Sequence, residues 1–295
     1  MRFLFVDRIL HSVKGEKIQG VKHITPDDYY LSLTDSGRSH FMPSLIGETL
    51  GQLAAWNVMD ALDFAMRPVA GVVAAVTVHR PAYVGETLFL ESQIDSLDDV
   101  AVQYHSVARI EDEIVFTIDG ALGPLLPMAH FIEQDEVRRQ FAEINRPGTP
   151  SIALPSSIEY LPSEGLSLKA QCPSFDVILT SEPGVQLSAI KRISRAAPYF
   201  ADHFPNKPVL PMTLLLECKL NLAREFMKRA QFKQSYQVKE MRRIKMNEFV
   251  YPGDVVTCQL NVKRQNDQEL VLSFRSEVDG KRVCVMELCC EGKHD

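Results

Sequence analysis

The stretch Tyr199-Phe-Ala-Asp-His203-Phe-Pro205-Asn-Lys-Pro208-Val-Leu-Pro211-Met-Thr-Leu-Leu-Leu-Glu217-Cys-Lys-Leu-Asn221 carries a histidine in a loop that runs straight into an apolar segment. Proline fixes φ, so Pro205, Pro208 and Pro211 leave this loop few conformations, and Pro211 suits the first turn of a helix. His203 is therefore held. Glu217 and Asn221, four residues apart, project from one helix face. Leu214, Leu215, Leu216, Leu220 and Leu222 cover most of the remaining surface, the pattern of a helix wrapped by its own protein. A carboxylate on such a helix is costly without a partner or a task.

The same pattern occurs earlier in the chain. EKIQGVKHIT at residues 16–25 resembles VQLSAIKRIS at 185–194, with Lys22 against Lys191 and Ile24 against Ile193, an offset of 191 − 22 = 169. Glu48 and Glu217 share that offset, and Gly85 in Tyr-Val-Gly-Glu and Gly253 in Tyr-Pro-Gly-Asp differ by 168. Separated anchors at nearly one offset mean two copies of one unit.

Each copy reads as short strands, one long helix, then turn-bounded strands. In the first, 3–12 and 18–24 precede a helix over about 44–65; in the second, 176–180 and 185–193 precede a helix over about 212–230. Near-alternating apolar residues follow at 87–95, 102–109 and 114–118, and again at 255–263, 270–276 and 282–288. This order is α+β, with each long helix inside the curl of an antiparallel sheet. An amphipathic stretch, 133–144, and a proline-containing segment, 145–157, come between them. The expected division is an N-terminal unit over 1–144, a linker over 145–157 and a C-terminal unit over 158–295.

At 295 residues and 45% hydrophobic content the chain has room for two cores. Its apolar runs are too short to span a bilayer, and Met1-Arg-Phe-Leu-Phe-Val-Asp7 meets a charge too early for a signal peptide, so a soluble, cytoplasmic protein is expected. A net charge of −6 without a basic stripe argues against nucleic acid. The six cysteines, Cys172, Cys218, Cys258, Cys284, Cys289 and Cys290, lack Cys-x-x-Cys spacing and read as reduced packing residues.

From about Phe175 to Glu291 the chain resembles the β-hydroxyacyl-acyl carrier protein dehydratases of the hot-dog fold. The residues that carry the likeness are the Glu182-Pro-Gly turn, Phe200-Ala-Asp-His203-Phe204-Pro205-x-x-Pro208-Val-Leu-Pro211, Glu217, and Phe249-Val-Tyr-Pro252-Gly253-Asp254. The first half matches more weakly, through Val6-Asp7-Arg8-Ile9-Leu10, Met42-Pro43, Glu48, Gln52 and Arg80-Pro81. The resemblance implies a double hot-dog: two tandem units, each an antiparallel sheet around a long central helix, one chain imitating the family's two-subunit unit. It also implies active sites between units, with the histidine from one and the acid from the helix of the other.

Because 25–48 and 194–217 are equally long, the slot of His203 falls at 203 − 169 = 34, which is Thr34. His203 then pairs with Glu48, while Thr34, Glu217 and Asn221 form an inactive pseudo-site. A shift of the loop would instead let His40 reach Glu217. Gln52 and Asn221, one turn beyond the carboxylates, are assigned to orienting them. The family's glycine after the helix-opening Pro211 is Met212 here, with Ser44 following Pro43, which bears on the acyl tunnel more than on the fold.

Dehydrating a 3-hydroxyacyl thioester needs a base for the C2 proton and an acid for the departing hydroxyl. A histidine near pKa 6.5 suits the first role, and a carboxyl held away from water favours the protonated form the second requires. Backbone N–H groups at a central-helix N-terminus suit the thioester oxygen. No metal or organic cofactor is needed.

The expected function is therefore dehydration of 3-hydroxyacyl thioesters carried by acyl carrier protein or CoA, in fatty-acid or polyketide-like synthesis, by a monomer that imitates a dimer. Thioester hydrolysis on the same fold and a non-catalytic acyl-binding subunit are the alternatives. His79, His105 and Trp56 read as surface or packing residues, and Lys219 as solvated at an edge or paired. The cations of 239–245 suit either an acidic carrier or a solvated strand face.

Overall fold

The computed structural model describes residues 3–34, 37–148 and 173–292. Most of the expected linker, the start of the expected C-terminal unit and Cys172 lie outside the described residues. The first half begins with β1 (Arg8–Val13), β2 (Lys17–His23), β3 (Leu31–Leu33) and β4 (Ser39–Phe41). Helix α1 (Pro43–Ala61) follows, then β5 (Met66–Pro68), β6 (Val72–Val78), β7 (Ala82–Tyr83), β8 (Thr87–Leu97), β9 (Ala101–Ile110), β10 (Glu113–Pro127) and helix α2 (Gln134–Ile144). The second half runs β11 (Val177–Glu182), β12 (Gln186–Arg192), helix α3 (Met212–Ala230), β13 (Tyr236–Met246), β14 (Val255–Gln265), β15 (Glu269–Val278) and β16 (Lys281–Gly292).

One large antiparallel sheet carries nearly all the strands, in the order β1-β2-β8-β9-β10-β6-β13-β16-β15-β14-β12-β11, with β5 on β10. Read from either edge inward, the halves repeat one order, and β6 and β13 meet at the centre. Their register sets Met241 opposite Val76 and Ile244 opposite Val73. Met241, Ile244, Val73 and Val76 are all buried, so the two halves join through a continuous apolar strip. Strands β3, β4 and β7 form a separate small sheet.

Helix α1 packs against β2, β8, β9 and α3. Both long helices are buried over most of their circumference, as the leucine pattern predicts. They keep the 169 offset throughout: Met42 and Pro211 are the N-caps (211 − 42 = 169), and each helix is 19 residues long. Pro43 thus matches Met212 in register, and Ser44 matches Thr213, a correction to pairing the two helix starts by their prolines. Helix α1 stops earlier than the sequence predicts, because Asp63 and Phe64 take left-handed backbone angles, φ 51° and 60°. Helix α3 ends at Gln231, φ 50°, with Lys228 and Arg229 on the negative end of its dipole. Lys219, expected at a solvated edge or paired, is fully buried, its Nζ 3.0 Å from Cys284 Sγ. Among the described residues no helix is long and apolar enough to cross a membrane.

Candidate active site

The N-terminal ends of α1 and α3 face one another, and each presents a hydroxyl to the other helix's carboxylate. Thr213 donates to Glu48 at 2.7 Å, and Ser44 donates to Glu217 at 2.6 Å. The two donors keep the helix register, so the cross-bracing follows from the repeat. Gln52 extends it in the first half, donating to Glu48 at 3.0 Å and to the Phe3 carbonyl at 3.1 Å while accepting from Phe5 N–H at 2.9 Å. Asn221 correspondingly donates to the Pro173 carbonyl at 2.7 Å. These amides tie each half's leading segment to its central helix.

His203 comes from the opposite half, lines the same cavity as the α1 carboxylate and feels its charge. Its Nδ1 lies 3.0 Å from the Val209 carbonyl, a contact that needs the proton on Nδ1 and leaves Nε2 as the acceptor. Phe204 stacks on the imidazole at 4.1 Å, and Phe3 meets it edge-on at 5.7 Å. Burial holds the imidazole's pKa below 6.5; the charge of Glu48 and the Val209 bond oppose that fall, and Arg67 adds to it. His203 is consequently neutral at pH 7, the form a base requires.

His203 and Glu48 line one cavity of about 140 Å³, with Gln52, Thr213, Met212 and Arg67 also on its wall. Gly47, Gly51, Ala54 and Ala55 of α1 line it too, opposite Phe116 and Tyr104. Burial, with the charge of Glu48, pushes the Tyr104 hydroxyl up to about 12. The missing side chains at Gly47 and Gly51 make the space: a Cβ at Gly51 would stand 3.6 Å from the Tyr104 hydroxyl, and one at Gly47 would stand 3.4 Å from the Phe116 ring. Pro211, also expected here, is buried as the N-cap of α3.

The second half arranges its counterparts differently. Glu217 is 1% exposed, accepts from Ser44 Oγ and from the Ser44 amide at 3.4 Å, and has Arg224 at 3.7 Å. Thr34, expected opposite it, bonds its hydroxyl to the Arg38 carbonyl within the β3–β4 turn. His40 is instead the imidazole that senses Glu217's charge. The 169 offset nevertheless holds on both sides of this loop, since Asp28 N–H bonds Thr25 and Ala197 N–H bonds Ser194. No slip of the chain is involved; His40 stands at Val209's position and reaches inward because β4 pairs with both β3 and β7. Burial lowers its pKa as well. The open positions of α1 are filled in α3, where Leu216, Leu220 and Arg224 replace Gly47, Gly51 and Ala55. Among the described residues no cluster of three His, Cys, Asp or Glu side chains is placed to hold a metal ion.

Comparison with known proteins gives the class first. Solved structures of similar architecture include the tesB protein of Mycobacterium avium subs paratuberculosis (TM-score 0.60, 11% identity, 97% of this chain and 96% of that one). The dehydratase domain of PpsC from Mycobacterium tuberculosis, in complex with C12:1-CoA, is another (TM-score 0.55, 11% identity, 98% and 100%). These likenesses show the hot-dog fold. The family follows from sequence. Residues 180–287 match the ApeI-like family model, described as ApeI dehydratase. The 3-hydroxyacyl-[acyl-carrier-protein] dehydratase FabZ of Shewanella woodyi is 31% identical over 119 residues, covering 39% of this chain and 78% of the relative. FabZ of Pseudoalteromonas translucida is also 31% identical, over 39% and 79%. The chain belongs to this hot-dog dehydratase family.

Proposed function

We propose that the protein is a tandem double hot-dog dehydratase that converts 3-hydroxyacyl thioesters, carried by acyl carrier protein, into trans-2-enoyl thioesters. The observation that carries this reading is the shared cavity, to which one half contributes His203 and the other Glu48. The division into units over 1–144 and 158–295 is part of the proposal, supported by the repeated strand order and the constant offset of the helices.

In this mechanism Nε2 of His203 takes the C2 proton. The electron pair moves into the C1–C2 bond and charge builds on the thioester oxygen, beside the positive end of α3. As the C3–O bond breaks, Glu48, entering this step in its protonated form, gives its proton to the leaving oxygen, water departs and the C2–C3 double bond forms. The proton held by His203 then passes to Glu48, which restores both groups for the next turnover. Thr213 and Gln52 fix the carboxyl for that transfer. In the other half the Ser44 amide is occupied by Glu217 and the acyl space is filled, so that pseudo-site is inactive.

The test is incubation with 3-hydroxyacyl carrier thioesters of several lengths, following enoyl product and free thiol separately. Enoyl formation that disappears in His203→Ala supports the reading. Release of free thiol would make the protein a thioesterase, and no turnover of any substrate would make it an acyl-binding subunit.

A further inference from the structure

One charge on the cavity wall has no role in the steps above. Arg67, in β5, lines both the cavity of His203 and Glu48 and a cleft of about 30 Å³ bounded by Gln52, Trp56, Gln140 and Asp202. Its guanidinium lies 4.2 Å over the Phe204 ring, the ring that stacks on His203. Nε is buried with no hydrogen-bond partner, and Nη1 meets only the Met59 sulfur, at 3.9 Å. Sulfur is a weak acceptor, so the fork of donors is largely unspent. Burial pushes its pKa down to about 10, against the charge of Glu48, and it remains a cation at neutral pH. Arg67 as a whole is half-buried, but its Nε is closed off from water with no hydrogen-bond partner, an arrangement that is costly to keep.

The other half lacks this feature. Position 67 + 169 = 236 is Tyr236, whose hydroxyl bonds the Asn266 carbonyl at 2.7 Å. The unspent cation accompanies the open cavity only.

We propose that Arg67 is a third catalytic residue, whose guanidinium accepts the negative charge that develops on the thioester oxygen as His203 removes the C2 proton. This rests on the dehydratase reading of the cavity. His203 fixes where C2 must lie, Glu48 fixes the 3-hydroxyl, and the thioester oxygen is two bonds from C2. Arg67 acts on both groups electrostatically and sits one ring away from the base. No proton leaves it; the electron pair that reaches the oxygen returns to form the C2–C3 double bond when water departs.

The experiment compares Arg67→Met, Arg67→Lys and His203→Ala in the full chain, with thermal melting to verify the fold. A saturated acyl thioester, which develops no charge, serves as the ground-state probe. Arg67→Met should lose about 10²–10³ in kcat with KM and saturated-thioester binding nearly unchanged, and Arg67→Lys should recover part of the loss. A wild-type kcat in Arg67→Met overturns the assignment, as does a loss confined to KM and thioester binding. Should Arg67→Met fail to fold, Arg67→Lys decides: a kcat lowered at unchanged KM supports the role, and a wild-type kcat ends it. An active His203→Ala overturns the dehydratase reading itself, whereas inactive His203→Ala beside fully active Arg67→Met overturns only the role of Arg67.

Discussion

The two halves carry the same helix, the same hydroxyl bracing and a carboxylate at the same register, yet among the described residues it is the Glu48 side that opens into a cavity lined by a histidine of the opposite half. On the Glu217 side the carboxylate is 1% exposed, touches a helix amide and an arginine, and is flanked by Leu216 and Leu220 where α1 has Gly47 and Gly51. The difference teaches that one architecture holds an open cavity or a closed brace according to a few side-chain volumes. A carboxylate bonded to its neighbour's amide and arginine has spent the interactions that a reacting group must keep for its substrate.

The largest expected effect lies in the two histidines. His203→Ala should lower enoyl formation by about 10²–10⁴, the worth of a positioned general base, while His40→Ala leaves it within about twofold. Equal losses would mean that both halves turn over substrate. The carboxylates come next. Glu48→Gln should cost about 10² or more in kcat at little cost to stability, and Glu217→Gln should cost about 1–3 kcal/mol of stability at constant kcat. Melting and turnover measured on the same two preparations separate these outcomes.

Volume swaps sharpen the comparison further. Gly51→Leu, which copies Leu220, should lower kcat/KM for longer acyl chains by about 10- to 200-fold, since the new side chain enters the cavity opposite Tyr104. Leu220→Ala should cost about 2–5 kcal/mol without creating activity, because Glu217 stays committed to Ser44 and Arg224. The smallest effect is the pH profile. His203 must be neutral to act and its pKa is lowered by burial, so kcat/KM should hold through neutrality and fall only as pH drops through a midpoint below 6.5. A midpoint above 6.5 would mean that Glu48's charge outweighs desolvation.

Much of this was legible in the sequence. The repeat at 169, the α3 helix over 212–230 and the carboxylates at 48 and 217 follow from periodicity and self-similarity, which depend on near neighbours along the chain. The proline-stiffened loop marked His203 for the same reason. His40 stood only as the alternative partner of Glu217, because register puts Thr34 in His203's slot and nothing in a linear alignment shows that β4 turns position 40 inward. Arg67 gave no signal at all, since its neighbours Glu48 and Met59 lie on α1 and Phe204 comes from the distant loop before α3. Lys219, read from helix spacing as solvated at an edge or paired, is buried and bonded to Cys284, because β16 covers that face.

The sequence alone determined that two long apolar helices lie 169 residues apart, each among strand patterns, and that they carry matched carboxylates, because these are properties of local pattern. Only the tertiary structure decided that β6 pairs with β13 to make one sheet, that the space beside His203 and Glu48 is left open as a cavity, and that Glu217 is closed in. Those outcomes depend on which surfaces meet and how much volume lies between them, and packing of residues distant along the chain is what settles both.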